Sequence, residues 1–371
     1  MSAKKLRIVV ANVVFFSALF IPLSLHQRSS AFADPSEKPV PSEFVAIHPI
    51  DSHVHAFQNN PEFFAMLKRL NLSVLDICVV DQYNLFRSKG PELAAARAFV
   101  EASNGHAKLC TTFDPFPFEK PGFAQGAIAD LDNDFAHGAV AVKVWKNIGM
   151  QIKKSEGTYL MIDDPILKPI LQDIARNNKT LIAHQAEPTS CWEAPNPASP
   201  DYDYYKEHPE WYMYLHPDHP AKETILAARD RMLAENPQLR VVGAHLGSME
   251  RDVDEIARHL DRYPNFAVDT AARMEYLMLA PREKVRNFLI KYQDRILYGT
   301  DLEFLQDGHL AEVSSEWTET YARDWKFLAT DETLELQGKK IQGLALPHSV
   351  LVKIFHSNAV QWIPGIVSDR E

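Results

Sequence analysis

Eight short runs of β-branched residues recur along this chain, and stretches with helical spacing separate most of them. Strands that alternate with helices indicate βαβ units and a parallel sheet. Eight such units in about 260 residues favour a closed barrel over an open sheet, and the sequence contains no GxGxxG or GxxxxGK[ST] phosphate loop. We therefore predict an α/β fold, a (β/α)8 TIM barrel. The predicted strands are 45–51, 72–80, 109–113, 139–144, 180–184, 239–245, 266–269 and 296–298.

The composition excludes several classes of protein. The 371 residues are 46% hydrophobic, as expected of a globular chain with a large core rather than a disordered or fibrous one. The net charge of −10 argues against a nucleic-acid partner, which would require a basic surface. The three cysteines form no obvious framework, and we expect no structural disulfide.

The first 33 residues have the pattern of a signal peptide. A basic start precedes an apolar run at 8–25, and Ala31-Phe32-Ala33 is an A-x-A cleavage site. The alternative is an uncleaved membrane anchor, because the run is about as long as a short transmembrane helix. We expect cleavage before Asp34 and export to the periplasm or beyond, with no stable membrane anchor afterwards.

The rest of the chain is predicted to hold one domain. Residues 34–43 are polar and Pro-rich and indicate a linker, and 44–371 form the barrel domain. Residues 186–220, after the fifth strand, form a long aromatic loop that we interpret as a lid over the barrel mouth or a dimer contact. Residues 302–371 form a helical extension expected on the outside or bottom of the barrel.

A His-x-His pair closes the first predicted strand region. His53 and His55 are two residues apart, so a strand would point both side chains to the same face. Two neutral imidazoles held in this way form half of a zinc-type site. The pair therefore indicates metal binding, although a single histidine would more often be a hydrogen-bonded core residue.

Three more polar residues follow strands where the barrel mouth is expected. His184, His245 and Asp301 come at the ends of the fifth, sixth and eighth runs, and barrel enzymes place catalysis at this edge. Each has a structural alternative, such as a loop hydrogen bond or a helix cap. Their joint occurrence with the His pair favours a divalent metal site. Gly243 is expected to point the same way as His245 and to leave room for substrate.

The motifs around these residues resemble a known family. They read IDSHVH at 50–55, AH at 183–184, GAHLG at 243–247, LYGTD at 297–301 and IFHSNAV at 354–360. The chain resembles the amidohydrolase superfamily over about residues 45–365. It resembles most the amidohydrolase-related group that contains aminocarboxymuconate semialdehyde decarboxylase.

The resemblance implies a set of roles for these residues. The metal ligands would be His53, His55, His184 and Asp301, and the metal would be one divalent ion, zinc first among the candidates. His245 would be catalytic, as an acid/base or an electrophile, and Asp301 would also accept a proton. The resemblance further implies a homodimer.

Lys143, at the end of the fourth run, has more than one interpretation. In related binuclear enzymes a carboxylated lysine on this strand bridges two metals, which implies a second ion. Alternatively, Lys143 contacts an anionic substrate or pairs with Asp301. Lys146, three residues later, is expected to be solvated.

Weaker candidates surround the site. Arg87, Arg273 and Trp192 are candidates for contact with substrate. Asp51 and Glu303 are candidates for orienting the imidazoles. The loop carboxylates Asp114 and Glu187 are the weakest pocket candidates.

The predicted activity is hydrolysis of an amide, ester or lactone of a small molecule by metal-activated water. The first alternative is non-oxidative decarboxylation of an unsaturated or aromatic acid, in which Arg87 or Arg273 would face the carboxylate. The second is a non-catalytic metal- or ligand-binding protein of the cell envelope. The presence of His245 argues against the second, because binding alone does not require it.

Overall fold

The computed structural model describes residues 40–81, 89–305 and 308–367. The predicted signal peptide, most of the predicted linker and Arg87 lie outside these ranges. The parallel strands, in chain order, are β1 (Ile50–Ala56), β2 (Ser73–Ile77), β3 (Ala107–Thr112), β4 (Ala139–Val144), β5 (Thr180–Ala183), β6 (Arg240–Gly243), β7 (Phe266–Asp269), β8 (Ile296–Leu297) and β9 (Leu302–Phe304).

The sheet closes through one segment of chain, 296–304. Its strands pair in the order β8-β7-β6-β5-β4-β3-β2-β1-β9. The two outermost strands, β8 and β9, are consecutive along this segment, so the segment joins both edges of the sheet. The backbone N–H of Asp301 donates to the carbonyl of His53 at 2.8 Å across this closure. The fold is a TIM barrel, as predicted, with its eighth position shared by β8 and β9.

The first strand begins later than predicted. Residues Ser42–Ala46 form a short helix, α1, which includes the last two residues of the predicted linker, and β1 begins only at Ile50. The helix is held because Phe44 is buried against the rings of Tyr321 and Phe355 at 5.7 and 5.5 Å. The His pair therefore lies within the strand rather than beyond its end.

Helices surround the barrel and extend its C-terminal part. They are α2 (Pro61–Arg69), α3 (Lys89–Ala102), α4 (Phe123–Ala136), α5 (Asn147–Met150), α6 (Lys168–Arg176), α7 (Tyr202–Glu207), α8 (Lys222–Glu235), α9 (Ala244–Gly247), α10 (Val253–Arg262), α11 (Met274–Leu279), α12 (Arg282–Lys291), α13 (Leu310–Ala329), α14 (His348–Val352) and α15 (Asn358–Trp362). A hairpin of β10 (Thr333–Leu336) and β11 (Lys339–Gln342) follows α13, and a π-helical turn, Lys353–Ser357, joins α14 to α15.

The last helix covers the amino-terminal end of the barrel. The Asn358 side chain donates to the carbonyl of Ile296 at 2.6 Å, and Thr180, the first residue of β5, donates to the carbonyl of Trp362. Trp362 and Ile363 join the apolar cluster inside the barrel. Polar residues at the other end of the strands, the carboxyl end, therefore face a separate environment.

Cys78, Cys110 and Cys191 are buried and free. Within the described ranges, no helix combines the length and apolar character needed to span a bilayer.

Candidate metal centre at the barrel mouth

Imidazoles and one carboxylate converge at the carboxyl end of the barrel. One ligand atom from each of His53, His245 and Asp301 lies within 4.8 Å of the others. The Nε2 atoms of His53 and His55 both lie 3.4 Å from Oδ1 of Asp301. Residues predicted from three separate strand ends thus meet in space.

Hydrogen bonds fix which nitrogen of each ring faces the cluster. Nδ1 of His55 lies 2.7 Å from the carbonyl of Ile77, and Nδ1 of His245 lies 3.0 Å from the carbonyl of Ala271. A carbonyl only accepts, so the proton is assigned to Nδ1 in both rings and the lone pair to Nε2. Partners of this kind orient metal-binding histidines.

His184 supplies the observation that tests the donor set. Its Nε2 is buried and makes no hydrogen bond within the described structure. Its ring lies 4.2 Å from that of His245, centroid to centroid. Burial, with Lys143 and Lys146 nearby, holds the pKa of His184 well below its ordinary value, so the ring is neutral. Leaving such a nitrogen unpaired costs about 1–3 kcal/mol, and a cation would remove that cost. The residues present fit a divalent metal.

Asp301 is the carboxylate of the cluster. Burial by itself raises its pKa, but His245, His55 and His53 around it hold the pKa well below the usual range. Its backbone has a φ of 67°, which aims the side chain back at the two β1 histidines. An ionised carboxylate here can bind a cation or accept a proton.

Asp269, the last residue of β7, was missed by the sequence reasoning. Its Oδ2 lies 2.8 Å from Nδ1 of His53, and its Oδ1 accepts from the backbone N–H of His245 at 2.7 Å. Burial raises its pKa, yet the contacts with His53 outweigh this and leave the pKa lowered. One carboxylate thus positions two members of the cluster. Its place at a strand's carboxyl end was the signal available in the sequence.

The two acids expected to orient imidazoles do not do so. Asp51 instead accepts from the backbone N–H groups of His53 and Thr300, each at 3.1 Å, and from the Tyr321 hydroxyl at 2.9 Å. It therefore fixes backbone at the barrel closure, and burial raises its pKa to about 7. The side chain of Glu303 is exposed, because alternate residues of β9 face opposite sides.

Lys143 points into the cluster. Its Nζ lies 2.9 Å from Nε2 of His53, and the residue is buried. Since Nδ1 of His53 faces Asp269, Nε2 carries the single lone pair of the ring. A metal on that nitrogen and this lysine contact exclude each other.

Lys146 is buried, so its predicted solvation was wrong. It forms an ion pair with Glu187, donates to the Tyr204 hydroxyl at 2.8 Å, and lies 4.5 Å from the centre of the Trp211 ring. All three partners belong to the loop 186–220, which folds back over β4. A sequence window around Lys146 contains no sign of that cover.

Glu187 extends this ion pair towards the cluster and towards Arg273. One carboxylate oxygen lies 3.9 Å from Nε2 of His184, and the other lies 3.7 Å from a terminal nitrogen of Arg273. Arg273 is buried, lies 3.8 Å from Asp201, and has an Nε with no hydrogen-bond partner in the described structure.

The other weak candidates lie farther out. The indole N–H of Trp192 donates to the carbonyl of Pro220 at 3.1 Å, within the loop, and its side chain is half-buried. Asp114 is exposed and accepts from the backbone N–H of Phe116 at 2.9 Å. Arg87 lies outside the described residues and stays a prediction.

A cavity of about 440 Å³ lies beneath the same loop. Tyr205, Tyr212 and Tyr276 form part of its wall, and the first two rings stack at 5.2 Å. The Tyr205 hydroxyl is 3.4 Å from Glu187, so this wall adjoins the ion pairs at the mouth.

His245 begins a run of left-handed backbone after β6. The φ angles at residues 245–248 are 60°, 57°, 63° and 57°. Each L residue in this conformation costs about 1–2 kcal/mol. Gly243 does not leave room for substrate, contrary to expectation. A Cβ there would lie 2.6 Å from the Phe266 ring, and the left-handed turn breaks the alternation that the prediction assumed.

Comparisons with known proteins agree with this architecture. The family model described as Amidohydrolase matches residues 161–364, which contain His184, His245, Asp269 and Asp301. No curated protein matches the sequence.

Among solved structures, the chain is similar to 2,6-dihydroxybenzoate decarboxylase from Rhizobium, at 13% identity and a TM-score of 0.50, covering 85% of this chain and 98% of that one. It is also similar to a probable 2-pyrone-4,6-dicarboxylic acid hydrolase from Acinetobacter baumannii, at 12% identity and a TM-score of 0.47, covering 85% and 99%. At 13% identity, the likeness to the decarboxylase concerns the fold. The family match, which spans more than half of the chain, settles the broader question: this protein belongs to the amidohydrolase family of enzymes.

Proposed function

We propose that this protein is a metal-dependent hydrolase that cleaves an amide, ester or lactone bond of a small molecule. The observation that carries the proposal is the buried Nε2 of His184, which has no hydrogen-bond partner among the described residues. It lies beside a cluster of inward-facing imidazoles and an ionised carboxylate. His53, His55, His184 and Asp301 would hold one divalent cation, and nitrogen and oxygen donors of this kind favour zinc. When bound, such an ion activates water and polarises a carbonyl.

The protein's own side chains would then manage protons. His245 has its Nδ1 proton committed to the carbonyl of Ala271, so its Nε2 must accept a proton before it can donate one. Asp301, ionised and partly exposed, is a second acceptor beside it. We assign the first proton transfer to this pair and the later return of a proton to the leaving group to His245.

The surroundings support a small substrate with an apolar part and an oxygen that a cation can meet. The tyrosine-walled cavity adjoins the mouth, and Lys143 must leave His53 when that nitrogen takes a metal. A displaced Lys143 would be free to meet a substrate oxygen. Carboxylation of Lys143, with a second ion, remains the alternative proposal for this side chain.

A specific observation also favours decarboxylation as a second candidate function. Within the part of the chain that the structure describes, the buried Nε of Arg273 has no hydrogen-bond partner, although the guanidinium is ion-paired elsewhere. A substrate carboxylate is the acceptor that would satisfy it. The two functions differ in product, because only decarboxylation releases CO2.

The test begins with metal content. Purified protein is analysed for Zn, Mn, Fe and Co by mass spectrometry. It is then screened against p-nitrophenyl acetate, δ-valerolactone, 4-nitroacetanilide and 2-hydroxybenzoate. Stoichiometric metal with hydrolysis supports the main proposal, and CO2 release supports the second. Absence of metal from protein refolded with each ion contradicts both.

A paired substitution separates ligand from acid/base. Replacing His184 by Ala is expected to lower metal affinity, whereas replacing His245 by Asn is expected to leave it almost unchanged. Loss of metal in H245N would make His245 a ligand and reverse the assignment.

Export and assembly are separate proposals. We propose that residues 1–33 are removed and that the mature protein is exported. Mass spectrometry of the secreted protein should give an N-terminus at Asp34, and a membrane-retained form beginning at Met1 would contradict it.

Tyr214 and Leu215 of the loop are about half exposed, at 49% and 53%, which supports a homodimer contact there. Light scattering measures the molar mass in solution and so distinguishes a monomer from a dimer.

A further inference from the structure

The turn that carries His245 is held by contacts from several elements. Asp269 accepts from the N–H of His245 at 2.7 Å, and Ser248 donates its hydroxyl to the carbonyl of Ala186 at 2.8 Å. Between these two anchors lies the carbonyl of Gly247, whose φ is 63°. A turn with successive left-handed residues persists only where its surroundings over-determine it.

Arg229, on α8, supplies the partner for this carbonyl. Its side chain is fully buried, and Nη1 donates to the Gly247 oxygen at 2.6 Å. The guanidinium lies 5.0 Å from the centre of the Phe266 ring, and Nη2 donates to Asp230 at 3.1 Å. Its Nε has no hydrogen-bond partner in the described structure. The short bond to Gly247 is thus made at the cost of an unsatisfied buried N–H.

Phe266 packs against the turn at residues 243–248 as well. Its ring would clash with a Cβ at Gly243, at 2.6 Å, and would meet one at Gly247 at 3.2 Å. The ring therefore packs against both ends of the turn, and Arg229 packs against the ring. Residues 243–248, Phe266 and Arg229 form one close-packed body with little room to adjust.

We propose that Arg229 is a positioning residue for His245, holding the left-handed turn that points this imidazole at the metal cluster. The inference rests on the proposed function, since it assigns Arg229 a part in catalysis through His245. Without the guanidinium, the Gly247 carbonyl loses its donor and the turn relaxes towards ordinary backbone angles. His245 then shifts relative to His184, while His53 keeps its own bond to Asp269.

The test compares R229M, which keeps an unbranched stem but removes the guanidinium and its donors, with R229K, which keeps the charge and an ammonium donor. L233A is the matched control, because Leu233 is buried on the same helix and its loss removes core volume. Zinc content, crystal structures, and kcat and KM for p-nitrophenyl acetate are measured for each folded protein.

We expect R229M to move His245 out of the left-handed region and to lower kcat about 10- to 100-fold, the scale of a misplacement near 1 Å. KM should change less than twofold, and R229K should recover part of the loss. L233A should lower the melting temperature and leave kcat per folded molecule unchanged. A φ near 60° at His245 in R229M, or equal kcat in R229M and L233A, overturns the proposal.

Two further results keep the test decisive. If R229M does not fold, R229K decides alone: an unchanged kcat in R229K overturns the proposal when its crystal structure shows that the new ammonium group does not reach the Gly247 carbonyl. H245N separates the two levels of the argument. A wild-type protein that binds no metal and hydrolyses nothing contradicts the proposed function, and an active H245N contradicts the acid/base role of His245. An inactive H245N beside a fully active R229M contradicts only the role of Arg229.

Discussion

The two ends of the barrel are lined by different kinds of side chain, apolar at one end and polar or charged at the other. At the amino-terminal end, apolar side chains of the strands meet Trp362 and Ile363 of α15, and the polar groups present, such as Asn358, are hydrogen-bonded. The carboxyl end holds buried charges, a lysine against an imidazole and left-handed backbone. It also holds the His184 nitrogen, for which the described residues supply no hydrogen-bond partner.

The difference shows where stability and chemistry reside. Apolar burial contributes about 25 cal/mol per Å², and the cluster around Trp362 and Ile363 supplies it at the covered end. The open end carries unfavourable terms, including about 1–2 kcal/mol for each left-handed L residue. We infer that the covered end stabilises the fold. This stability allows the open end to keep buried groups whose cost falls when a cation binds. The following predictions test that division, from the largest expected effect on turnover to the smallest.

Removing the metal should abolish turnover while leaving the fold intact. Dialysis against EDTA leaves the imidazoles of the open end unpaired, but the apolar end is untouched. Circular dichroism should still show the folded protein, with a lower melting temperature because a ligand that binds only the native state stabilises it. Global unfolding on chelation would contradict the separation of the two ends.

Replacing His245 by Asn should lower kcat about 10²- to 10⁴-fold, the usual contribution of a positioned acid/base. The melting temperature should change little, because the backbone N–H that Asp269 holds is retained. Steady-state kinetics and calorimetry measure the two quantities. A large stability loss with modest kinetic loss would make His245 structural.

Replacing Asp269 by Asn should weaken metal binding about 10- to 100-fold, as for other changes to groups that orient a metal-binding histidine. The amide cannot reproduce the charge that His53 meets at 2.8 Å. Competition with a chromogenic chelator measures the affinity. E303Q is the matched control, since the Glu303 side chain is exposed, and it should behave as wild type.

Replacing Ile363 by Ala at the covered end should lower the free energy of unfolding by about 2–5 kcal/mol through the cavity it leaves. Turnover per folded molecule should stay unchanged, because Ile363 belongs to the apolar cluster at the covered end and not to the metal cluster at the mouth. Urea titration and kinetics below the transition measure both. A matching fall in kcat would show that the two ends are mechanically coupled.

The sequence predicted the parts of this structure that depend on local pattern. The boundaries of β4 and β7 match the prediction. Residues of β1, of the turn after β6 and of the segment 296–304 lie close together at the barrel mouth. Polar residues at the carboxyl ends of parallel strands must converge once the sheet closes, so that much follows from order along the chain.

What failed depended on distant contacts. Lys146 is buried by a loop that begins about forty residues later. Asp51 accepts a hydrogen bond from the backbone N–H of Thr300 across the barrel closure. Asp269 was counted as the end of an apolar run, with no neighbouring histidine to mark it. The left-handed turn at His245 could not be read from residue types, since only one of its four residues is glycine. The signal peptide and Arg87 remain predictions.

The closure through 296–304 also sets the order in which the site can form. His53 and His55 come early in the chain, whereas Asp301 arrives some 250 residues later and contacts them only after β9 docks on β1. Contacts this far apart in sequence form slowly and late. Tight metal binding should therefore mark the end of folding. Before β9 pairs with β1, Asp301 is not held beside His53 and His55, and the ligands cannot bind one cation together.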